Sequence, residues 1–233
     1  MTINKPVRGI FFDLGWTIFR PATGNWMLTA KAMEYIKPEI LWSIPQEKLF
    51  STRKSADECL KDEIYLTEEE EFDRYRSYYR SIAERLPEIK VSQEQADIIA
   101  YDRVHNDNNY VFFTDAKKTL EELKERYKIG VISSTDPSIK RVLKNAGIFD
   151  FFDNMTLTNE LGLPKPCPEL FEHALEVMKL PAQETVFIDD YEKNLDGAAA
   201  TGIQPILILS GPDFKESTKY MNLRKLSDLL DIL

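Results

Sequence analysis

Arg8-Gly9-Ile10-Phe11-Phe12-Asp13-Leu14-Gly15-Trp16-Thr17-Ile18-Phe19 is the stretch on which the fold turns. Ile10, Phe11 and Phe12 form a short apolar run rich in aromatic and β-branched residues, and Gly15 closes it. That pattern predicts a buried strand ending in a turn. In a parallel α/β sheet, ligands and catalytic groups gather at the carboxyl ends of the strands. Asp13 falls at such an end, where a nucleophile or a metal ligand is placed. The competing reading is an aspartate that caps the following helix.

The rest of the chain supplies the setting. Its 233 residues, 43% of them hydrophobic, suffice for a large core or for a core with an insert. A net charge of −9 leaves no broad basic face for nucleic acid, but it permits a small anionic substrate held by local positive charge. No stretch has the length and apolarity of a membrane span, and the polar opening Met1–Pro6 is not that of a signal peptide. Cys59 and Cys167 are far apart and are expected to be free thiols in a reducing, cytoplasmic setting. His105, in a polar loop, and His173, in a helix, show no metal-ligand spacing. Nothing in the sequence predicts a protein partner.

Strand-like apolar runs recur further along: Tyr127–Ile132, a weak Phe151–Thr158, Glu184–Ile188 and Pro205–Leu209. Helical patterns alternate with them over Asp115–Arg126 (capped by Thr114), Pro137–Asn145, Glu169–Met178, Asn194–Thr201 and Leu223–Leu233. Alternation of this kind predicts a doubly wound, Rossmann-like parallel sheet with right-handed crossovers. From Trp26 to Ala100 the periodicity is helical and no strand stands out. Glu58–Tyr65 could continue a helix. Thr67 with Glu70 forms a capping box, and Phe72, Tyr75, Tyr78, Tyr79, Ile82 and Leu86 make one apolar face. The run Glu68–Glu71 fits helix-start electrostatics better than metal binding. Pro87 ends that helix, and Ser92 caps Gln93–Tyr101. The expected organisation is a core of residues 1–18 and 110–233 with an all-helical cap at 19–109.

Four polar clusters follow apolar runs or sit in a rigid loop: Asp13, Ser133-Ser134, Lys165 between Pro164 and Pro166, and Asp189-Asp190. Together they suit phosphoryl transfer. A carboxylate can attack phosphorus. Mg²⁺ takes hard oxygen ligands such as Asp13 and Asp190, Lys165 brings a cation to the phosphate, and Ser133 and Ser134 can donate hydrogen bonds to it.

Here the chain resembles the haloacid dehalogenase-like (HAD) hydrolases, in the branch with a helical cap inserted after the first motif. Phe11–Thr17 resembles motif one, Val131-Ile132-Ser133-Ser134 motif two, and Gly162–Phe171 the lysine motif, with Cys167 where Asp is commoner. Val186–Asp190 with Asn194 and Gly197-Ala198 resembles motif four. The resemblance covers essentially the whole chain. It implies a first strand at the centre of the sheet with the Glu184–Ile188 strand beside it, and a cap that closes over substrate. It also implies Asp13 as nucleophile, and Mg²⁺ held by Asp13, Asp190 and the main-chain carbonyl of Gly15, with Thr17, Asp189 and Asn194 in support.

One departure bears on the chemistry. Phosphatases of this family usually carry a second Asp two residues after the nucleophile, as general acid and base. Here that residue is Gly15, and Trp16 replaces the glycine that usually follows. The expectation is a Mg²⁺-dependent phosphatase acting on a small phosphorylated metabolite, such as a sugar phosphate. The alternatives are metal-independent dehalogenase chemistry, and a catalytically weak or inactive binding or regulatory protein. Phosphonate cleavage would call on a cap lysine, and no motif selects among Lys31, Lys48 and Lys54.

Overall fold

The computed structural model describes residues 2–60, 64–211 and 215–233. Among the described residues eight strands are formed: β1 (Gly9–Phe12), β2 (Phe19–Pro21), β3 (Tyr110–Phe112), β4 (Lys128–Ser133), β5 (Asn154–Leu157), β6 (Thr185–Asp189), β7 (Gln204–Ile208) and β8 (Met221–Leu223). Six of them make one sheet in the order β5-β4-β1-β6-β7-β8, and every pairing in it is parallel. The four residues of β1 are all buried, as expected for a strand covered on both faces. The central strand is thus Ile10-Phe11-Phe12, with β4 on one side and β6 on the other. Strands β2 and β3 pair separately as a short ribbon.

The chain divides into two compact units. One is Met1–Arg20, Phe112–Thr135 and Ile139–Leu233; the other is Pro21–Val111 with Asp136–Ser138. The first holds the α/β sheet. Its core includes Phe11, Ile132, Phe171, Phe187 and Leu195, and truncating a fully buried Phe of this kind to Ala costs about 3–5 kcal/mol.

The second unit is helical. Its longest element, Glu68–Arg85, starts in a capping box between Thr67 and Glu70 and packs against Gln93–His105, itself opened by a capping box between Ser92 and Gln95. Tyr75, Tyr78, Tyr79, Ile99 and Ala100 lie in its core. The sheet unit runs two residues past 18 and resumes at Phe112 rather than 110. The segment Asp136–Ser138, of which Pro137 and Ser138 are expected to open a helix of the core, belongs to the helical unit instead.

Several expected elements are corrected. The helix after Ser92 continues to His105, so His105 is helical, with its ring stacked on Tyr101. Thr114 caps nothing: the helix Ala116–Lys124 starts after Asp115, without a side-chain cap. Helix Ile139–Asn145 starts two residues later than expected. Thr158–Leu161, which begins at the last residue of the expected strand Phe151–Thr158, is a helical turn. The closing helix is much shorter than Leu223–Leu233. Met221–Leu223 forms the edge strand β8, and only Leu229–Ile232 is α-helical. A continuation of helix through residues 61–63, and the turn at Pro212, lie outside the described residues.

Candidate active site

Register brings the acidic residues together. Phe12 is level with Val131 of β4 and Ile188 of β6, and the Asp13 amide donates to the Ile188 carbonyl at 2.9 Å. Asp13 therefore leaves the sheet at the level of Asp189, while Ser133 ends β4 next door. Asp13 is 6% exposed, Ser133 is buried and Asp189 is fully buried. The Ser133 hydroxyl donates to Asp13 Oδ1 at 3.0 Å. Ser134, expected beside it as a phosphate donor, is exposed.

Lys165 reaches in from the proline loop. Its Nζ donates to Asp13 Oδ1 at 2.5 Å and to Asp189 Oδ2 at 2.9 Å. The loop is held close to the sheet by Gly197: a Cβ there would lie 2.5 Å from the Pro166 carbonyl oxygen and 2.9 Å from the Phe171 ring. Any larger residue at position 197, in the helix Glu192–Ala200, would push the lysine loop away.

Asp189 is saturated with hydrogen bonds. Besides Lys165, it accepts from the Tyr191 amide at 2.8 Å and from Asn194 Nδ2 at 3.1 and 3.0 Å. Asp190, the next residue, is half-buried and has no cationic partner among the described residues. Its carboxylate sits against the chain after β7: a Cβ on Gly211 would come within 2.4 Å of Asp190 Oδ2.

Asp13, Asp189 and Asp190 each offer an oxygen, and these atoms lie within 4.8 Å of one another. Two of the three carboxylates, Asp13 and Asp189, share the Lys165 ammonium. Burial, with Asp189 and Asp13 adding to it, pushes the Asp190 carboxyl up to about 8. Burial also raises Asp13 to about 6, although Lys165 pulls it down. Lys165 is above the usual lysine range: burial opposes its charge, and the attraction of Asp13 and Asp189 outweighs that. A pocket with this surplus of hard, anionic oxygens fits a hard divalent cation.

The turn after Asp13 is tight. The amides of Thr17, Ile18 and Phe19 all point to the Leu14 carbonyl, and the Ser210 hydroxyl donates to the Trp16 carbonyl. Trp16 has φ 57°, a left-handed conformation that favours glycine and costs a bulky residue about 1–2 kcal/mol. Gly15 is not in that region. Thr17 is fully buried, and its hydroxyl has no hydrogen-bond partner among the described residues. Trp16, Asp190, Tyr191, Leu207, Leu209 and Gly211 border a cleft of about 410 Å³ in the sheet unit.

Two residues passed over in the sequence hold a second polar cluster, inside the helical unit. Glu71 reads as one more acid of the helix start, yet it is fully buried. Arg103 is 5% exposed and donates to Asp136 and to the Tyr75 and Tyr110 hydroxyls. The available signal was periodicity: Glu71 shares a helix face with Tyr75, Tyr78 and Tyr79.

A family model described as haloacid dehalogenase-like hydrolase matches residues 50–208. Pyrophosphatase PpaX of Bacillus mycoides is 28% identical over 163 residues, 66% of this chain and 75% of that protein. The glyceraldehyde 3-phosphate phosphatase of Methanocaldococcus jannaschii is 36% identical over 124 residues, 50% of this chain and 54% of that one. Other alignments span as little as 39% of the curated relative's length, as with a Saccharomyces cerevisiae protein 34% identical to this chain. A 2-haloacid dehalogenase from Pseudomonas syringae pv. Tomato superposes on 97% of this chain and 98% of its own with a TM-score of 0.66. At 22% identity this is a likeness of fold.

Proposed function

The chain belongs to the haloacid dehalogenase-like hydrolases, and on that premise we propose that it is a Mg²⁺-dependent phosphatase of a small phosphorylated metabolite. The observation that carries this reading is the meeting of Asp13, Ser133, Lys165 and the Asp189-Asp190 pair at one end of the sheet. Names of relatives add support: one acts on pyrophosphate and one on a sugar phosphate.

Asp13 is the nucleophile in this reading. Ser133 and Lys165 both donate to Oδ1, so Oδ2 is the oxygen left to attack phosphorus. Attack forms the Asp13–phosphate bond and breaks the bond from phosphorus to the leaving oxygen. Water then hydrolyses the aspartyl-phosphate and returns Asp13. Lys165 offsets charge on Asp13 and the incoming phosphate, and Ser133 orients the carboxylate. Asp189, held by Asn194 and the Tyr191 amide, positions Lys165. Asp13, Asp190 and the Gly15 carbonyl would hold Mg²⁺, which when bound screens the repulsion between two anions and polarises the phosphate. Gly15 offers no proton to the leaving group, so substrates with good leaving groups are favoured.

Gly15 also motivates a second reading, metal-independent hydrolysis of a 2-haloacid, because dehalogenases of the family lack the second Asp. Hydrolysis of an aryl phosphate, glyceraldehyde 3-phosphate and pyrophosphate, with Mg²⁺ or with chelator, tests both. Turnover that needs Mg²⁺ and is abolished in Asp13→Asn is the expected result. No turnover of any phosphate overturns the phosphatase reading, and chloride release from 2-chloropropionate in chelator establishes the second. Failure of both assays would leave a binding or regulatory role.

A further inference from the structure

The chain enters the helical unit a second time, between the motif-two loop and the helix Ile139–Asn145. Ser133, Ser134 and Thr135 belong to the sheet unit, Asp136–Ser138 to the helical unit, and Ile139 to the sheet unit again. The intruding segment is fastened at both ends. Asp136 accepts hydrogen bonds from the Tyr65 hydroxyl at 2.7 Å, the Tyr75 hydroxyl at 2.9 Å and Arg103 at 3.2 Å. Glu71 accepts from the Ser138 amide at 2.8 Å and from the Ser138 hydroxyl at 2.9 Å.

This arrangement is unusual as a stabilising device. Glu71 and Arg103 are ionisable and buried, and apolar residues of similar volume commonly hold helices together at least as well. Apolar packing would not, however, fix the position of a particular carboxylate and a particular amide. The hydrogen bonds do that: they specify where residues 136 and 138 lie within the helical unit. Only Ser134 and Thr135 separate this anchored segment from Ser133, whose hydroxyl donates to Asp13.

We propose that Glu71 and Asp136 are positioning residues, which tie the motif-two loop Ser133–Thr135 to the helical unit and so set the hydrogen-bond donors of that loop. For its kinetic consequence the proposal rests on the phosphatase reading. For its structural consequence it does not.

The test uses the full-length protein and two isosteric variants, Glu71→Gln and Asp136→Asn, with Ser138→Ala as a milder change should either fail to fold. Backbone ¹⁵N order parameters at Ser134 and Thr135 are expected near 0.85 in the parent protein and below about 0.6 in the variants, with β1 unchanged. Equal values at Ser134 and Thr135 in folded variants overturn the proposal. So does a loss of order spread evenly along Glu68–Arg85 with none in the loop. With an aryl phosphate, KM should rise by roughly tenfold or more while kcat changes less, as when phosphate donors are misplaced. A fall in kcat at constant KM overturns the assignment of those donors to substrate binding. A parent protein without turnover refutes the phosphatase reading alone, and the order parameters then decide this proposal.

Discussion

Gly211 stands where a Cβ would come within 2.4 Å of Asp190 Oδ2. A side chain at 211 and the observed place of the Asp190 carboxylate are mutually exclusive. Gly211→Ala should therefore swing Asp190 out of the acidic cluster without removing any charge. The expected outcome is a rise of about 10–100-fold in the Mg²⁺ concentration for half-maximal activity, the range seen when a metal ligand loses its support. Asp190→Asn should give a larger effect. A Mg²⁺ titration of activity in the three proteins checks this, and an unchanged midpoint in Gly211→Ala would remove Asp190 from the metal site.

The same crowding of carboxylates sets a pH dependence. Asp13 and Asp190 have ordinary values near 3.8 and folded-state values of about 6 and about 8; Glu71 moves from 4.5 to about 8, chiefly by burial and then by Asp136. Between the unfolded and folded values the native chain binds more protons than the unfolded one. Metal-free stability should therefore fall as pH rises from about 4 to about 8. Lys165, also raised, keeps its full stabilising contribution below its ordinary value of 10.5 and loses it only above, so it is constant across this window. Mg²⁺ competes with protons for Asp13 and Asp190. The rise in Tm on adding Mg²⁺ should be greater at pH 8 than at pH 5, measured against chelator at each pH. An equal or smaller rise at pH 8 would refute the metal assignment.

Lys165 is the single ammonium among these carboxylates in the described residues, and its side chain is 5% exposed. Lys165→Met removes it and keeps most of the volume. At pH 8 this leaves buried carboxylates uncompensated, a loss of about 3–5 kcal/mol. At pH 5 protonation relieves much of that penalty, so the difference from the parent protein should shrink. Urea unfolding at both pH values measures it; a loss independent of pH would mean that packing, not charge, holds the lysine loop.

How far the sequence could be read depends on the kind of signal each element carries. Strands β1, β4, β6 and β7 are apolar runs covered on both faces, so hydrophobicity alone locates them within one to two residues. Strand β8 has three residues, Met221-Asn222-Leu223, at the edge of the sheet. No alternation can develop over that length, and the following leucines imitate a helix. The ribbon strands β2 and β3 escape notice for the same reason. Asp13, Ser133, Lys165 and the acidic pair were legible because each sits at a break between a regular element and a loop. Glu71 was hidden by three acidic neighbours that do what acids at a helix start usually do. Its different role depends on Asp136–Ser138, which is 65 or more residues away in sequence.

The capping box of Glu68–Arg85 gives a change in the helical unit that spares the reacting groups. The Thr67 hydroxyl accepts from the Glu70 amide at 3.2 Å, and Glu70 accepts from the Thr67 amide at 3.0 Å. Thr67→Ala breaks the first bond and should destabilise the protein by about 1 kcal/mol. Calorimetry checks the loss, with KM for an aryl phosphate expected to stay constant. A rise in KM like that of Glu71→Gln would show that any weakening of this helix reaches the motif-two loop.

Gly15 is the position where the chemistry of this chain departs furthest from its family, and the backbone there is permissive. The left-handed residue of the turn is Trp16, with φ 57°, whereas Gly15 is outside that region, so an aspartate at 15 meets no φ penalty. If the missing acid limits turnover, Gly15→Asp should raise kcat by about 10²-fold or more for a poor leaving group such as an alkyl phosphate, out of the 10²–10⁴ that general acid catalysis supplies. For an aryl phosphate, whose leaving group needs no proton, the gain should be far smaller. Comparing the two substrates separates a restored acid from a general change in the site. Equal changes for both, or no gain for the alkyl phosphate, would mean that another group already protonates the leaving oxygen and that Gly15 is no defect.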